Sequence, residues 1–426
     1  MRPFSTAQFA AILLVVIVLL SNISGCKYDV AEPMWEKPYS PACPDPEITN
    51  VTPSSAPAGV NYITITGNNL APALDSMKIR LSNGRDTIIV YNGILFNTTP
   101  AEVRNISPTS ITVYRPNLVL DSCIIKILPQ CALLKATYTY GKIDVVCQDF
   151  GGFNDKLGLY FVTIDSSGTV YVGEFVTSSI WRLERINPDG VKTPISLSMA
   201  SGQGLQRTPT DARLRQSDGY LYVFNSSDRW FHRIDLSTGL IYRYLQMPSG
   251  KIMRYGDFDA NGYLYGGGVG TDLCIVPPSL SPITYAQAYQ TDSILAVRVF
   301  NNYVYIAARQ RGTLSPVKIF RHQITSPGSL GQKELVVDFA TTGFSDRTVR
   351  DISFSQSGKM FITTGNTDPI LLYDQSTGTI DYFYKNIIPP YGVHSAWGNT
   401  NYLYMISAEN WTLVRVDMGE NGTPYY

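Results

Sequence analysis

Aromatic, acidic and histidine side chains recur at one position of a short sequence repeat, and arginines occur at the position directly before it; together they could form a polar binding site. Each copy of the repeat contains an aromatic residue that serves as its reference point: Tyr171, Tyr222, Tyr265, Tyr305, Phe361 and Tyr404. Ten residues before these reference points lie Phe161, Ala212, Tyr255, Leu295, Asp351 and His394. Aromatic rings offer rigid contact area, and Arg and Asp orient a ligand through charged hydrogen bonds. The sequence therefore predicts a site for a sugar or a peptide, formed by Phe161, Arg254, Tyr255, Arg350, Asp351 and His394. In the alternative interpretation, these charges only pair with one another inside the fold.

The residue types that hold a divalent ion are present, but their spacing argues against a metal centre. Glu174, Asn225 and Asp351 do not share one register of the repeat. A lyase with a His-bound metal would need several convergent histidines, whereas His232 and His322 fall in the third strand of their copies. We therefore expect no metal and no cofactor.

Motifs for other chemistries are missing from the sequence. It contains no nucleophile elbow, phosphate-binding loop or Cys–His pair. The "GGGVG" stretch at 266–270 has a β pattern on both sides, which argues against a dinucleotide fingerprint. Lys and Arg together number 34, as do Asp and Glu, so bulk charge favours neither nucleic acid nor an anionic membrane surface. We expect no catalytic residues, and a metal-dependent hydrolase or lyase is the least favoured alternative.

The repeated phrase predicts the elements that position these residues. Its copies include "GYLY" at 219–222 and 262–265, "NYVY" at 302–305 and "NYLY" at 401–404. A polar turn precedes the phrase and an alternating run follows, which indicates a tight turn and then a strand. The second aromatics of the six copies are Tyr171, Tyr222, Tyr265, Tyr305, Phe361 and Tyr404. Their spacing of 40 to 56 residues is that of a four-stranded blade, so the sequence predicts a six-bladed β-propeller.

The last copy is one strand short, and an earlier segment can complete it. Its recognisable strands end near Met418, whereas "KIDVVCQD" at 142–149 has a strand pattern and precedes the first copy. We expect residues 142–149 to supply the fourth strand of the last blade. Such a closure would remove the open sheet edges that invite aggregation.

The N-terminal 26 residues have the pattern of a targeting sequence. Arg2 precedes an apolar run at 10–20 that is too short to cross a bilayer comfortably. The run is followed by "NISGC" at 22–26, which resembles the lipobox of bacterial lipoproteins. The resemblance implies that Cys26 becomes the lipidated first residue after cleavage, with residues 27–45 as a tether.

Five cysteines remain if Cys26 carries lipid. Export would permit disulfides, and the odd number leaves at least one thiol free. Cys123 and Cys131 are close enough in sequence to join neighbouring strands. The spacing of the cysteines does not match a metal cluster.

The segment after the tether has the pattern of a small β-sandwich. "PEITNVTPSSAPAGVNYITITGNNLAP" at 46–72, "ISPTSITVYRPN" at 106–117 and "KATYTY" at 135–140 are short alternating strands separated by turn residues. They resemble the IPT/TIG domain over residues 46–140, although Gly59-Val60-Asn61 replaces the customary Gly-Gly-Thr. The resemblance implies an Ig-like module that acts as a spacer. Docking or direct ligand contact is the alternative role.

Residues 141–426 resemble NHL-type and related six-bladed propellers. The closest stretches are "YFVTIDSSGTVYVGEF" at 160–175 and "YGVHSAWGNTNYLYMIS" at 391–407. The resemblance implies a fold and says little about chemistry.

These patterns together predict an all-β protein with an Ig-like β-sandwich followed by a six-bladed β-propeller. The expected parts are a signal peptide at 1–26, a tether at 27–45, the IPT/TIG domain at 46–140 and the propeller at 141–426. We expect a lipid-anchored outer-membrane protein that faces outward and captures a glycan or nutrient; a periplasmic orientation is the alternative. The rival function is that of a structural subunit beside an outer-membrane transporter.

Overall fold

A computed structural model describes residues 43–80, 86–153, 158–177, 180–199, 208–268 and 272–426. The described residues form β-strands joined by turns and three short 3₁₀ helices, Ala71–Ala73, Gln287–Tyr289 and Phe339–Thr341. None of these helices is long and apolar enough to span a membrane. The predicted signal peptide, Cys26 and most of the tether lie outside the described residues.

The first unit is a β-sandwich. Its strands are β1 (Glu47–Thr52), β2 (Tyr62–Asn68), β3 (Leu74–Arg80), β4 (Asp86–Asn92), β5 (Ile94–Phe96), β6 (Thr99–Pro100), β7 (Val103–Ile106), β8 (Ser110–Tyr114), β9 (Cys123–Ile127) and β10 (Ala136–Tyr140). One sheet has the order β1-β2-β8-β7, the other β10-β9-β5-β6, and β3 and β4 pair as a separate hairpin. Alternate residues such as Ile63, Ile65, Ile111 and Val113 point into a common core, as the sequence pattern predicts.

A disulfide joins Cys43 to Cys131 across this unit. The link considered between Cys123 and Cys131 does not form, because Cys131 pairs with Cys43. Cys123 starts strand β9, and the alternation of that strand buries its side chain in the sandwich core together with Ile125. Cys123, Cys147 and Cys274 are free thiols.

The second unit is a ring of six β-sheets, which confirms the predicted propeller. Their strands pair antiparallel, apart from one short edge strand in blade 2 that pairs in parallel. The unit begins with β11 (Cys147–Asp149); blade 1 then contains β12 (Leu159–Ile164), β13 (Val170–Thr177), β14 (Ile180–Ile186) and β15 (Lys192–Ile195), and blade 2 contains β16 (Ser198–Met199), β17 (Pro209–Leu214), β18 (Tyr220–Asn225), β19 (Trp230–Asp235) and β20 (Leu240–Gln246). Blade 3 contains β21 (Tyr255–Phe258), β22 (Leu264–Gly267), β23 (Leu273–Val276) and β24 (Thr284–Ala286), and blade 4 contains β25 (Asp292–Phe300), β26 (Tyr303–Gln310), β27 (Lys318–Ser326), β28 (Ser329–Leu330) and β29 (Glu334–Asp338). Blade 5 contains β30 (Val349–Phe354), β31 (Met360–Thr364), β32 (Ile370–Asp374) and β33 (Thr379–Tyr382), and blade 6 contains β34 (Gly392–Trp397), β35 (Tyr402–Ser407) and β36 (Thr412–Asp417). The innermost strands β12, β17, β21, β25, β30 and β34 pack on their neighbours in this order and line the central channel. Strands of a blade are counted outward from the innermost one, so β16 is the outermost strand of blade 2.

The ring is closed by the strand that precedes blade 1. β11 pairs antiparallel with β36, so that Cys147 lies opposite Val416 and Asp149 opposite Val414. Blade 6 therefore takes its outer strand from the beginning of the propeller, as the segment 142–149 predicts.

The repeated phrase has a local physical cause in the hairpin between the first two strands of a blade. In blade 3, Asp259 Oδ1 accepts hydrogen bonds from the backbone N–H groups of Asn261 and Tyr263. Its second oxygen accepts the phenolic hydroxyl of Tyr265 at 3.1 Å. Asp218 does the same for Tyr220 and Tyr222 in blade 2, and Asp165 for Thr169 and Tyr171 in blade 1. The carboxylate caps the turn and fixes the aromatic anchor at the same time.

The first tyrosine of the phrase is held by an arginine from the third strand. The guanidinium carbon lies 4.4 Å from the ring centroid in the Arg233–Tyr220 pair. It lies 4.7 Å from the centroid in both the Arg321–Tyr303 and the Arg415–Tyr402 pairs. Cation–π contact therefore recurs at equivalent positions of blades 2, 4 and 6.

The Ig-like unit is docked on blades 5 and 6. Asp381 of β33 accepts hydrogen bonds from Tyr114 Oη (2.6 Å) and Arg104 Nε (2.5 Å). Asn61 donates to the carbonyl of Tyr382 and accepts from the N–H of Tyr384, both at 2.8 Å. The expected spacer thus makes direct, specific contact with the propeller.

Candidate functional site

The entrance of the central channel is shaped by register shifts in the innermost strands. Five of the six strands have a β-bulge or a similar shift near their start, at Tyr160, Thr210, Leu295, Arg350 and Val393. In blade 3 the corresponding residue, Arg254, directly precedes β21. A bulge redirects a side chain and ends regular pairing. We call the rim formed by these six residues and Tyr255 the mouth.

Three of the predicted site residues lie at the mouth. Arg350 is exposed, and Arg254 and Tyr255 are half-buried. Arg254 Nε donates a hydrogen bond to the carbonyl of Ser226 at 3.0 Å, which fixes the side chain. Burial raises the pKa of Tyr255, although the nearby charges of Arg350 and Arg254 oppose that shift. Tyr255 is therefore a neutral hydroxyl beside two cations.

The other three predicted residues lie below the mouth, inside the molecule. Phe161 is fully buried between blades 1 and 2, where its ring covers Gly173 so closely that a Cβ there would lie 2.3 Å from it. Asp351 and His394 are also buried, 1% and 2% exposed. The expectation that these three side chains meet a ligand directly at the surface is thus not matched by their position.

Asp351 and His394 belong to a buried charge network around Arg213. The Arg213 guanidinium donates to Asp211 Oδ1 (2.5 Å) and to Asp351 Oδ1 (3.4 Å). His394 Nε2 lies 2.6 Å from Asp211 Oδ1. Burial alone would lower the pKa of Arg213, but the two carboxylates outweigh it and raise the pKa. These charges neutralise one another, as in the alternative interpretation of the sequence.

A second buried pair, Arg298 and Asp257, lies further along the channel. Arg298 Nη1 and Asp257 Oδ2 are 2.7 Å apart, and the same oxygen accepts the N–H of Val299. Arg298 Nη2 also donates to the carbonyls of Thr423 and Pro424.

The segment 422–426 enters the channel from the end opposite the mouth. The ring of Tyr425 contacts both buried arginines, with its centroid 4.1 Å from Arg298 and 5.0 Å from Arg213. Burial raises the pKa of Tyr425 to about 12. Gln216 and Phe354 bind the backbone of Tyr426 and Thr423 through hydrogen bonds. This segment closes one end of the channel.

Sequence counting missed Arg213, Asp211, Arg298 and Tyr425. In blade 2 the channel position is Asp211, one residue before the counted Ala212, and in blade 4 it is Ala296, one residue after the counted Leu295. The hairpin of blade 2 is one residue longer than in blade 3, and that of blade 4 is one residue shorter. A fixed count of ten residues back from the aromatic anchor therefore misses the channel position by one residue, in opposite directions in blades 2 and 4.

The residues considered as ligands of a divalent ion have other partners. Glu174 pairs with Arg182 at 2.5 Å, and Asn225 donates to the carbonyl of Trp230. In the parts of the chain that the structure describes, no three His, Cys, Asp or Glu side chains are grouped to hold a metal ion. His232 and His322 lie in third strands, as predicted.

What the mouth offers is recognition chemistry. Tyr255 and Tyr160 present aromatic surface, and the ring of Tyr160 is braced edge-on by Phe175 at 6.0 Å. Arg254 and Arg350 provide N–H donors. Beneath them, Asp211, Asp351 and His394 belong to the buried network around Arg213.

Comparison with known proteins gives the same two units. The IPT/TIG domain family matches residues 46–140. No curated protein sequence matches the chain.

Among solved structures, a putative gluconolactonase superposes with a TM-score of 0.50 at 10% identity, covering 66% of this chain and 94% of that one. An auxiliary nutrient binding protein from Bacteroides thetaiotaomicron gives 0.48 at 11% identity, covering 89% and 98%. Virginiamycin B lyase from Staphylococcus aureus gives 0.46 at 12% identity, covering 64% and 98%. At these identities the likeness concerns the fold. Residues 46–140 are an IPT/TIG domain with an Ig-like fold, and the described residues from Cys147 onward form a six-bladed β-propeller.

Proposed function

We propose that this protein binds a polar ligand, in the first place a glycan, at the mouth of its propeller. The observation that carries the proposal is the division of the channel into two parts. Asp211, Arg213, Asp351 and His394 are buried below the rim and paired with one another, whereas Arg350 and Tyr255 at the rim keep accessible surface. Such a site can hold a ligand at the rim by stacking and hydrogen bonding.

The chemistry of the rim favours a hydroxyl-rich ligand. A sugar ring has apolar faces that fit Tyr255 and Tyr160, and hydroxyl oxygens that accept hydrogen bonds from Arg254 and Arg350. A peptide is the second ligand class compatible with these groups.

The test is retention in native gels that contain dextran, xylan, laminarin or mannan. We expect Arg350→Ala to weaken retention by about tenfold, because it removes charged donors without disturbing the core. Tyr255→Ala should weaken it as well. Arg185→Ala is the matched control, since Arg185 is also an exposed arginine but lies in β14, the third strand of blade 1, away from the channel. Unchanged retention of both mouth variants, or equal loss in the control, would contradict the proposal.

We also propose that the protein is anchored in the outer membrane through lipid on Cys26. The lipobox pattern supports this placement, and the docked Ig-like domain would then carry the propeller near the membrane surface. Palmitate labelling in the native host should disappear in Cys26→Ala and persist in Cys123→Ala. Label that survives in the first variant would overturn the anchor. Recovery with an outer-membrane barrel after mild extraction, without polysaccharide retention, would favour the assembly-subunit function instead.

A further inference from the structure

A second cleft lies on the face of the propeller opposite the mouth. It is formed by the hairpins that end the first strands of blades 4 and 5, beside the segment 422–426. Its volume of about 610 Å³ is in the range of small-ligand sites. Its principal lining side chains are Asn301, Tyr303, Arg321, Gln356, Gln375 and Tyr426. We call it the tail-side cleft.

The aromatic part of this cleft is rigid. Tyr303 is half-buried and is held by Arg321, whose guanidinium carbon lies 4.7 Å from the ring centroid. Tyr426, also half-buried, belongs to the segment that is fixed in the channel through Tyr425. Preorganised rings bind without the entropic cost of ordering flexible side chains.

The charge of the cleft is balanced. Arg321, its cationic lining residue, forms a 2.7 Å ion pair with Glu334. The other polar side chains are neutral: the amides of Asn301, Gln356 and Gln375 and the hydroxyls of Tyr303, Tyr305, Ser357, Thr423 and Tyr426. An acidic ligand would have to compete with Glu334 for the guanidinium of Arg321. An apolar ligand would displace water from the side-chain amides and leave them without the hydrogen bonds that the water made.

From this composition we propose that the tail-side cleft binds a sugar ring of a neutral glycan. One face of the ring would stack on Tyr303 or Tyr426, and its hydroxyls would exchange hydrogen bonds with Gln375 and Asn301. The side-chain amides both donate and accept, which suits hydroxyls that do the same. This site is separate from the mouth, so it adds to the proposed function and does not depend on it.

The chain offers a closely matched pair of variants for the test. Tyr303 and Tyr402 occupy the same position of the repeated phrase, and each is stacked by an arginine at 4.7 Å. Both are half-buried, but Tyr402 does not line the cleft. In native gels containing dextran, xylan, laminarin or mannan, we expect Tyr303→Ala to weaken retention by about tenfold and Tyr402→Ala to leave it unchanged. Tyr303→Phe, which keeps the ring, should retain most of the binding, and the exposed Gln375→Ala should lose part of it.

The same gels separate this site from the mouth. Loss in Tyr303→Ala and Gln375→Ala with full retention in Arg350→Ala would support the tail-side cleft and overturn the mouth. Loss in Arg350→Ala alone would overturn the tail-side cleft and support the mouth. Partial loss in each set would support both sites. Equal loss in Tyr303→Ala and Tyr402→Ala, with Gln375→Ala unaffected, would show a structural effect and overturn the cleft.

Discussion

At the residue scale, the central channel of the propeller contains buried arginines paired with carboxylates. Arg213 and Arg298 are almost fully buried, and each is compensated by carboxylates. A buried ion pair gives little net stability compared with apolar residues, but removing one partner leaves an unpaired charge in the interior. The network therefore makes the fold sensitive to single substitutions.

We predict that Arg298→Ala lowers the free energy of unfolding by about 3–5 kcal/mol, because Asp257 keeps its burial and loses its cation. Lys318→Ala, which breaks the partly exposed pair with Asp338, should cost at most about 1 kcal/mol. Urea denaturation of both variants measures the difference. Equal losses would show that burial of the pair has no energetic consequence.

At the element scale, the hairpin between the first two strands is the unit that the sequence repeats. One aspartate holds the turn and the aromatic anchor, as Asp259 does for Tyr263 and Tyr265. In blade 5, Ser355 occupies the turn position and Phe361 the anchor, so both the carboxylate and the phenol are replaced. The carboxylate and the phenol thus occur together in blades 1 to 3 and are both absent from blade 5, whereas blades 4 and 6 keep the tyrosines Tyr305 and Tyr404 without an aspartate in the turn.

We predict that Asp259→Ala destabilises the protein by about 1–3 kcal/mol, since two backbone N–H groups and the hydroxyl of Tyr265 lose their acceptor. Tyr265→Phe removes a single hydrogen bond and should cost about 1 kcal/mol. Thermal denaturation of the two variants checks this order. A larger loss in Tyr265→Phe than in Asp259→Ala would contradict the proposed role of the aspartate.

Local patterns of this kind explain what the sequence could predict. The six anchors, the closing strand and the sandwich follow from alternation and turn residues, which are written in contiguous stretches. The channel contents do not follow, because Tyr425 meets Arg213 and Arg298 only after the ring has closed. Likewise Cys43 reaches Cys131 across a sequence separation of 88, and no local signal marks that pairing.

At the scale of the whole molecule, the Ig-like domain and the propeller form a specific interface. Asp381 lies at its centre, with hydrogen bonds from Tyr114 and Arg104. Lys385 of the propeller adds an ion pair with Glu102 of the Ig-like domain at 2.7 Å. These contacts fix the orientation of the propeller relative to the Ig-like domain.

We predict that this interface weakens in acid. Burial of Asp381 tends to raise its pKa, but the hydrogen bonds from Tyr114, Tyr62 and Arg104 outweigh this and hold the pKa below its ordinary value. The stabilising contribution is therefore present above the unfolded pKa of about 4 and is lost as the pH falls through the lower, folded pKa. Limited proteolysis between the domains should increase below about pH 4. Asp381→Asn should be cut faster even at pH 7, and a cleavage rate independent of pH in the natural protein would contradict the prediction.

The closing strand also has a consequence for the order in which the molecule can be made. Gln148 and its partner Arg415 are 267 positions apart in the chain. The ribosome synthesises Gln148 before Arg415, so strand β11 has no pairing partner until nearly the whole propeller has been synthesised. Blade 6 therefore assembles last, and the interval before it does is when a nascent chain would most need protection from joining another copy edge to edge.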